Sequence, residues 1–434
     1  MPSDTSTHKP QRLIVVALLM AVMVISVLDK SIFAFAGVQI IDELKLTPEQ
    51  FGFIGSAFFF LYSLSGVLVG FLANRFPSRL ILSGMSLVWM VAQLFTAVSS
   101  SFYALVASRM LLGAGCGPGT AVTQHACFKW YAPRERVLPS ALIQVAIMIG
   151  AILGALSLPW IIQHAGWRMA YLTLAAIGLL WLGLWLVFGR EGRYGDEDNS
   201  ETEVQPGVAV SYRRLLLNRT FVCITLAGFA SYLPTALIYS WVPVYLQKGL
   251  GLAPMQSGYV VMAATFGVIV LNLGVSALSQ RALKRGASVR RAMVAPPMLA
   301  CAIGGAAMVA LGFFEQGLTA TLALYLVGGC LVNLLPAFAN SIVAFIAPPH
   351  QRGSMLAIHI GLMTSAGMLA PHLVGQAVAW KGGDIAQGFE LVVGLFGIAL
   401  LVSAALGMRC IDPERSQADI AAAATPASPS VSHA

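Results

Sequence analysis

Residues 13–37 read LIVVALLMAVMVISVLDKSIFAFAG. Crossing roughly 30 Å of hydrocarbon takes about 20 mostly apolar residues in a helix, and this run is long enough. It is too long for the apolar core of a signal peptide, and no convincing cleavage site follows it. It is therefore read as a first membrane span, with two charges, Asp29 and Lys30, inside it.

Eleven further apolar runs follow, at 50–72, 80–98, 102–128, 137–162 and 168–188, then at 220–246, 256–278, 292–313, 319–345, 353–379 and 389–408. The 434 residues are 58% hydrophobic and 10% charged. Soluble domains carry about 25% charged residues, which excludes a soluble fold. Continuous runs without alternation favour helices over an outer-membrane barrel. The expected fold is an all-α membrane protein of twelve transmembrane helices in two six-helix bundles. Its expected parts are a cytoplasmic tail 1–12, a bundle 13–189, a polar linker 190–218, a bundle 219–408 and a disordered tail 409–434 rich in Ala and Ser.

Charge predicts the orientation. Apart from Lys30 and Arg109, all Lys and Arg lie in the two tails and the even-numbered loops, except Lys45, Arg168, Lys248 and Lys381. The positive-inside rule then places both termini and the linker in the cytoplasm, across a bacterial-type inner membrane. The net charge of +8 is scattered over short loops rather than gathered on one face, so no nucleic-acid partner is expected. The six cysteines show no metal or disulfide spacing, and no phosphate loop or nucleophile motif is present. An enzyme, a metal and a cofactor are therefore not expected, and the chain is expected to act as a monomer.

The two halves echo each other. GFLANRFPSR at 70–79 follows the second span, and SALSQRALKRG at 276–286 follows the eighth. The first of these resembles the signature loop of the major facilitator superfamily. Gly70, Arg75 and Arg79 stand at its glycine and basic positions, with Asn74 where Asp is usual and Pro77 where Gly is usual. Within that superfamily the chain is similar to the anion:cation symporter group, which includes galactonate, glucarate, hexuronate and phthalate permeases and vesicular glutamate transporters. Leu28-Asp29-Lys30, Ser108-Arg109-Met110-Leu111-Leu112-Gly113, Trp130-Tyr131 with Arg134-Glu135-Arg136, Gly166-Trp167-Arg168 and Trp241-Val242-Pro243-Val244-Tyr245-Leu246 carry the likeness. The resemblance implies a secondary transporter that works by alternating access between its halves. It assigns gating to the loop residues Gly70, Asn74, Arg75 and Arg79. Cys116 stands where the group has a Glu that takes part in proton coupling.

The intramembrane charges point the same way without the family. Ionisable groups at that depth are expensive and mark function. Asp29 is the carboxylate well inside a span, and Lys30 and Arg109 are the matching cations. At ~1.5 Å per residue, Asp29 and Arg109 both lie roughly 10–12 Å below the outer surface, so they could meet. The functional reading makes Arg109 and Lys30 an anion site, Arg109 gripping a carboxylate with two parallel hydrogen bonds, and Asp29 the proton carrier that competes for them. The alternative is a structural ion pair between the first and fourth spans. Tyr62 and Tyr239 are candidate substrate contacts, and His359 a candidate second titrating group. The glycines at 66, 70, 113, 115, 117, 119, 150 and 154 read as close helix packing.

The cargo expected is a small organic anion (a sugar acid, a dicarboxylate or an aromatic carboxylate) imported with protons; an exporter of drugs or metabolites is the alternative. Asn keeps a hydrogen bond at position 74 but lacks the charge that relatives use to hold the cytoplasmic gate. Asn74→Asp is expected to shift the resting population toward the outward-facing form, read as the labelling rate of cysteines introduced on either side. Unchanged labelling would overturn this.

Overall fold

A computed structural model describes residues 9–72, 76–132, 135–192, 210–348 and 351–424. All regular elements among the described residues are helical. Among the described residues, ten helices are long and apolar enough to cross a membrane. One of them, Leu138–Phe188, is two spans, because Gly166 breaks it with φ 81° and ψ 163°.

Span 1 (Lys9–Leu44) shows that the chain reverses there. The arm before Gly166 lies with Gly150 against Val24 and Val27 of span 1, and Gln39 Nε2 donates to Ile162 O at 3.0 Å. On the returning arm Trp167 Nε1 donates to Glu43 at 2.6 Å, and Trp181 Nε1 to Leu18 O at 2.8 Å. The two arms, spans 5 and 6, thus flank span 1 in opposite directions. Phe102–Cys116 and Gly119–Phe128 together make span 4, interrupted at Gly117-Pro118. The total is twelve spans, as the apolar runs predict.

Spans 2 and 3 are Pro48–Leu72 and Ser78–Val98. In the second half, span 7 runs from Arg219–Ala236 through short turns to Tyr245–Gly249, and span 8 is Pro254–Lys284. Span 9 joins Arg290–Val294 to Ala295–Phe313, and span 10 joins Leu318–Val332 to Leu335–Ile346. Span 11 joins Arg352–Thr364 to Ala370–Trp380, and span 12 is Ile385–Cys410. The broken spans carry proline near the break: Pro118, Pro234 with Pro243, Pro336 and Pro371. Proline removes a backbone donor and clashes with the preceding turn, so the helix bends there.

Small residues let helices touch backbone to backbone. A Cβ at Gly113 would sit 2.0 Å from Phe58 O, and one at Gly117 would sit 2.2 Å from Tyr62 O, so spans 2 and 4 leave no room for a side chain. With little hydrophobic drive between helices in lipid, such close van der Waals contact is what holds them.

The C-terminal segment differs from the expectation of a disordered tail. Pro413–Ala424 is a helix docked on the second bundle. Ser416 Oγ donates to Thr220 Oγ1 at 2.7 Å, Gln417 Nε2 to Phe345 O at 3.2 Å, and Ile411 and Ile420 are buried. Its Ala-rich composition hid a buried face at helical spacing, Pro413, Ser416 and Ile420. Of the linker, the first residues pack on the first bundle, where Glu191 accepts from Arg79 N at 2.6 Å and from Lys129 Nζ at 3.0 Å. Residues 193–209 lie outside the described residues, as do Asn74 and Arg75 of the gating loop.

Gly166 provides a test of the hairpin. Its Cβ would meet no atom within 4 Å, so the cost of a side chain is purely the backbone conformation. Gly166→Ala is expected to destabilise the protein by about 1–3 kcal/mol. Thermal unfolding in detergent should show a lower Tm, and an unchanged Tm would rule out the strained turn.

Candidate functional site

The bundles meet most closely at the end opposite the linker. There Phe51 of span 2 stacks edge-on against Trp241 of span 7 at 4.9 Å, and Trp241 Nε1 donates to Pro371 O of span 11 at 2.9 Å. A Cβ at Gly52 would sit 2.4 Å from Pro371 O, and one at Gly375 would sit 2.5 Å from Pro48 O. Three hydrogen bonds join the bundles among the described residues: Asp42 with Lys248, Ser56 with the backbone of His372 at 3.1 Å, and Ser63 with Thr364 at 3.0 Å. All three engage residues 42–63 of the first bundle, so the seal covers that end and reaches the middle of span 2.

Three of the four predicted substrate contacts gather beyond this seal. Lys30 of span 1 is half-buried and lies within electrostatic range of Tyr62 of span 2 and Tyr239 of span 7. Tyr232 of span 7 couples to both tyrosines, and its ring lies 6.0 Å from Phe59. The cluster thus takes side chains from both halves. A ligand held there would touch surfaces that move apart if the halves rock.

Arg109 lies elsewhere. It is 1% exposed, inside the first bundle, with its guanidinium 4.6 Å from the Phe33 ring centre and 4.8 Å from that of Phe58. None of its three side-chain nitrogens has a hydrogen-bond partner among the described residues. The ring faces contribute about 2 kcal/mol or more each when desolvated. The effective cost of burying an ion is several kcal/mol, and rings supply no hydrogen-bond acceptor. Arg109 is therefore a desolvated cation with its donors uncommitted.

Asp29 is equally buried, and its hydrogen-bond partner is Gln93 Nε2 of span 3 at 2.6 Å. No ion pair joins it to Arg109 among the described residues. Matching depth brings the two near common neighbours, Tyr171 and Cys116, without direct contact. Cys116 is the hub: it lies within electrostatic range of Lys30, Asp29 and Arg109. The residue at which the chain departs from the group it resembles is therefore within electrostatic range of all three charges.

His359 is placed apart. It is buried between spans 7 and 11, with Nδ1 2.9 Å from Thr225 Oγ1, the Phe221 ring 6.3 Å away, and Nε2 without a partner among the described residues. Of the gating loop, Arg79 donates to Leu186 O at 2.5 Å, which ties the start of span 3 to span 6, and Gly70 lies in the last turns of span 2. Gln93 was missed by the sequence reading. Its signal was available, since an amide in the middle of an otherwise apolar span is itself a polar outlier.

Two six-helix halves that seal against each other at one end, with a charged cluster between and within them, define a membrane carrier. The profile of the Major Facilitator Superfamily matches residues 19–371, and the chain belongs to that family. It is a multi-pass membrane transport protein, not an enzyme. The hexuronate transporter of Bacillus subtilis is 25% identical over 402 residues, covering 90% of this chain and 93% of that protein. The D-galactonate transporter of Escherichia coli is 22% identical over 351 residues, covering 73% and 81%. Among solved structures, a bacterial homologue of the human lysosomal transporter Spinster, in an inward-facing and unoccupied conformation, superposes with a TM-score of 0.78 at 17% identity, covering 95% of this chain and 98% of that one. The D-xylose–proton symporter superposes with a TM-score of 0.74 at 15% identity, covering 93% and 99%. At these identities the structures speak to the fold alone.

Proposed function

We propose that the protein imports a small organic anion across the cytoplasmic membrane together with protons, by alternating access, with the linker end facing the cytoplasm. The observation that carries this reading is the charge balance of the first bundle: two intramembrane cations, Lys30 and Arg109, stand against one carboxylate, Asp29, and Arg109 has no hydrogen-bond acceptor among the described residues. A buried cation without an acceptor favours an anion, since each charge-assisted hydrogen bond contributes about 1.5–3 kcal/mol. The relatives named as hexuronate and galactonate transporters handle anions of this kind, which supports the class.

Asp29 supplies the coupling. When it is ionised its charge offsets the cations and weakens their pull on the substrate. A proton on Asp29 removes that competition, so proton and anion bind best together. The closed end opposite the linker then corresponds to the inward-facing form, in which substrate and proton leave toward the linker side.

Proteoliposomes test the roles separately. Lys30→Ala and Arg109→Ala are each expected to weaken anion binding about 10- to 100-fold, the equivalent of one charge-assisted hydrogen bond. Asp29→Asn is expected to keep anion exchange while losing accumulation driven by an inward proton gradient. Exchange that fails in Asp29→Asn but survives in Arg109→Ala would overturn the assignment. Cys116→Glu sets a carboxylate against both cations. Its ionised form competes with substrate, so the variant should bind anions more weakly than the parent at high pH and approach it again as pH falls. A pH profile of binding parallel to that of the parent would refute the charge argument.

A further inference from the structure

Cys116, Cys127, Cys301 and Cys330 are buried inside the bundles, whereas Cys223 and Cys410 are half-exposed. These two lie together where span 7 begins and span 12 ends. The two thiols lie within electrostatic range of each other, and Arg219 Nη2, on the helix that carries Cys223, donates to Cys410 Sγ at 3.1 Å. The register is held from both sides. Arg219 and Cys223 are four residues apart on one helix and so share a face. Next to Arg219, Thr220 Oγ1 donates to Asp412 O at 3.1 Å and accepts from Asp412 N at 3.0 Å, two residues beyond Cys410. The two cysteines thus sit where spans 7 and 12 are held in fixed register, and none of these groups takes part in the anion site.

We propose that Cys223 and Cys410 form a hydroperoxide-responsive dithiol site that reversibly links span 7 to span 12. The guanidinium beside Cys410 marks its sulfur as the attacking one. That sulfur attacks the terminal oxygen of a hydroperoxide, forming an S–O bond and breaking the O–O bond; the other oxygen leaves as alkoxide or hydroxide and takes a proton from solvent. Cys223 then attacks the sulfenic sulfur of Cys410. The S–S bond forms, the S–O bond breaks, and water leaves with the proton from Cys223. Two thiols lose two electrons in total and one hydroperoxide is reduced. The bond would fasten the start of span 7, which carries Tyr232 and Tyr239, so oxidation restrains the wall of the cluster contributed by the second half.

The full-length protein in lipid nanodiscs, treated with hydrogen peroxide and digested, provides the test. Mass spectrometry should find a Cys223–Cys410 linked peptide that dithiothreitol abolishes, while the four buried cysteines stay reduced. In Cys223→Ser the intermediate should accumulate and be trapped by dimedone on Cys410. Arg219→Leu should slow the linkage several-fold, and Arg219→Lys should restore part of the rate. A linked peptide that never forms, dimedone capture absent from Cys410 in Cys223→Ser, or linkage equally fast in Arg219→Leu overturns the proposal. Thermal unfolding of each variant separates a chemical effect from a failure to fold.

Discussion

A hydrocarbon interior offers a charged side chain no water, so every ion kept there must be supported by the protein around it. Arg109 shows how partial that support is. The rings of Phe33 and Phe58 both lie against its guanidinium, and no acceptor reaches it among the described residues. Rings stabilise a cation without neutralising it, so the positive charge persists in the centre of the first bundle. Much of the local architecture serves to hold that charge in place: the contact of span 4 with span 2 at Gly113 brings Phe58 to the guanidinium, and span 1 brings Phe33.

Span 1 connects this charge to the rest of the molecule. It lies between the two arms that reverse at Gly166, so its position is defined from both sides. Along one helix it carries Asp29, Lys30 and Phe33 of the charged cluster, then Gly37 against Val244, then Asp42 paired with Lys248 of the second half. A change of charge at Asp29 or Lys30 is therefore made on the same helix that seals the end opposite the linker. On the anion-import reading, that gives a physical route by which binding and gating share one free energy.

How much of this was legible in the sequence follows from the kind of signal involved. The twelve spans were readable because lipid imposes length and apolarity on each crossing, and the reversal at Gly166 fell in the break between two apolar runs. Asp29, Lys30 and Arg109 were readable because charge at depth is rare. Their partners were not. Helix depth says how high a side chain sits, but not toward which neighbour it turns, so Asp29 found Gln93 instead of Arg109. The docked helix Pro413–Ala424 was hidden for a related reason: its contacts rest on Ser416, Gln417 and Ile420 in a segment whose composition alone resembles a flexible tail.

Cys116 is where composition and geometry combine. On the anion-import reading, two cations and one ionised carboxylate leave the cluster with a single net positive charge. A monocarboxylate balances that charge while Asp29 is ionised, and a proton on Asp29 then strengthens the pull of the cations on it. A dicarboxylate would leave an excess negative charge in low dielectric, unless a proton entered on Asp29. A glutamate at position 116 would add a second ionisable carboxylate within reach of all three charges, and would require another proton before either cargo was balanced. A thiol there leaves the cluster with fewer proton-binding groups and a stronger standing attraction for anions, so the residue at position 116 tunes how many protons must accompany each molecule of cargo.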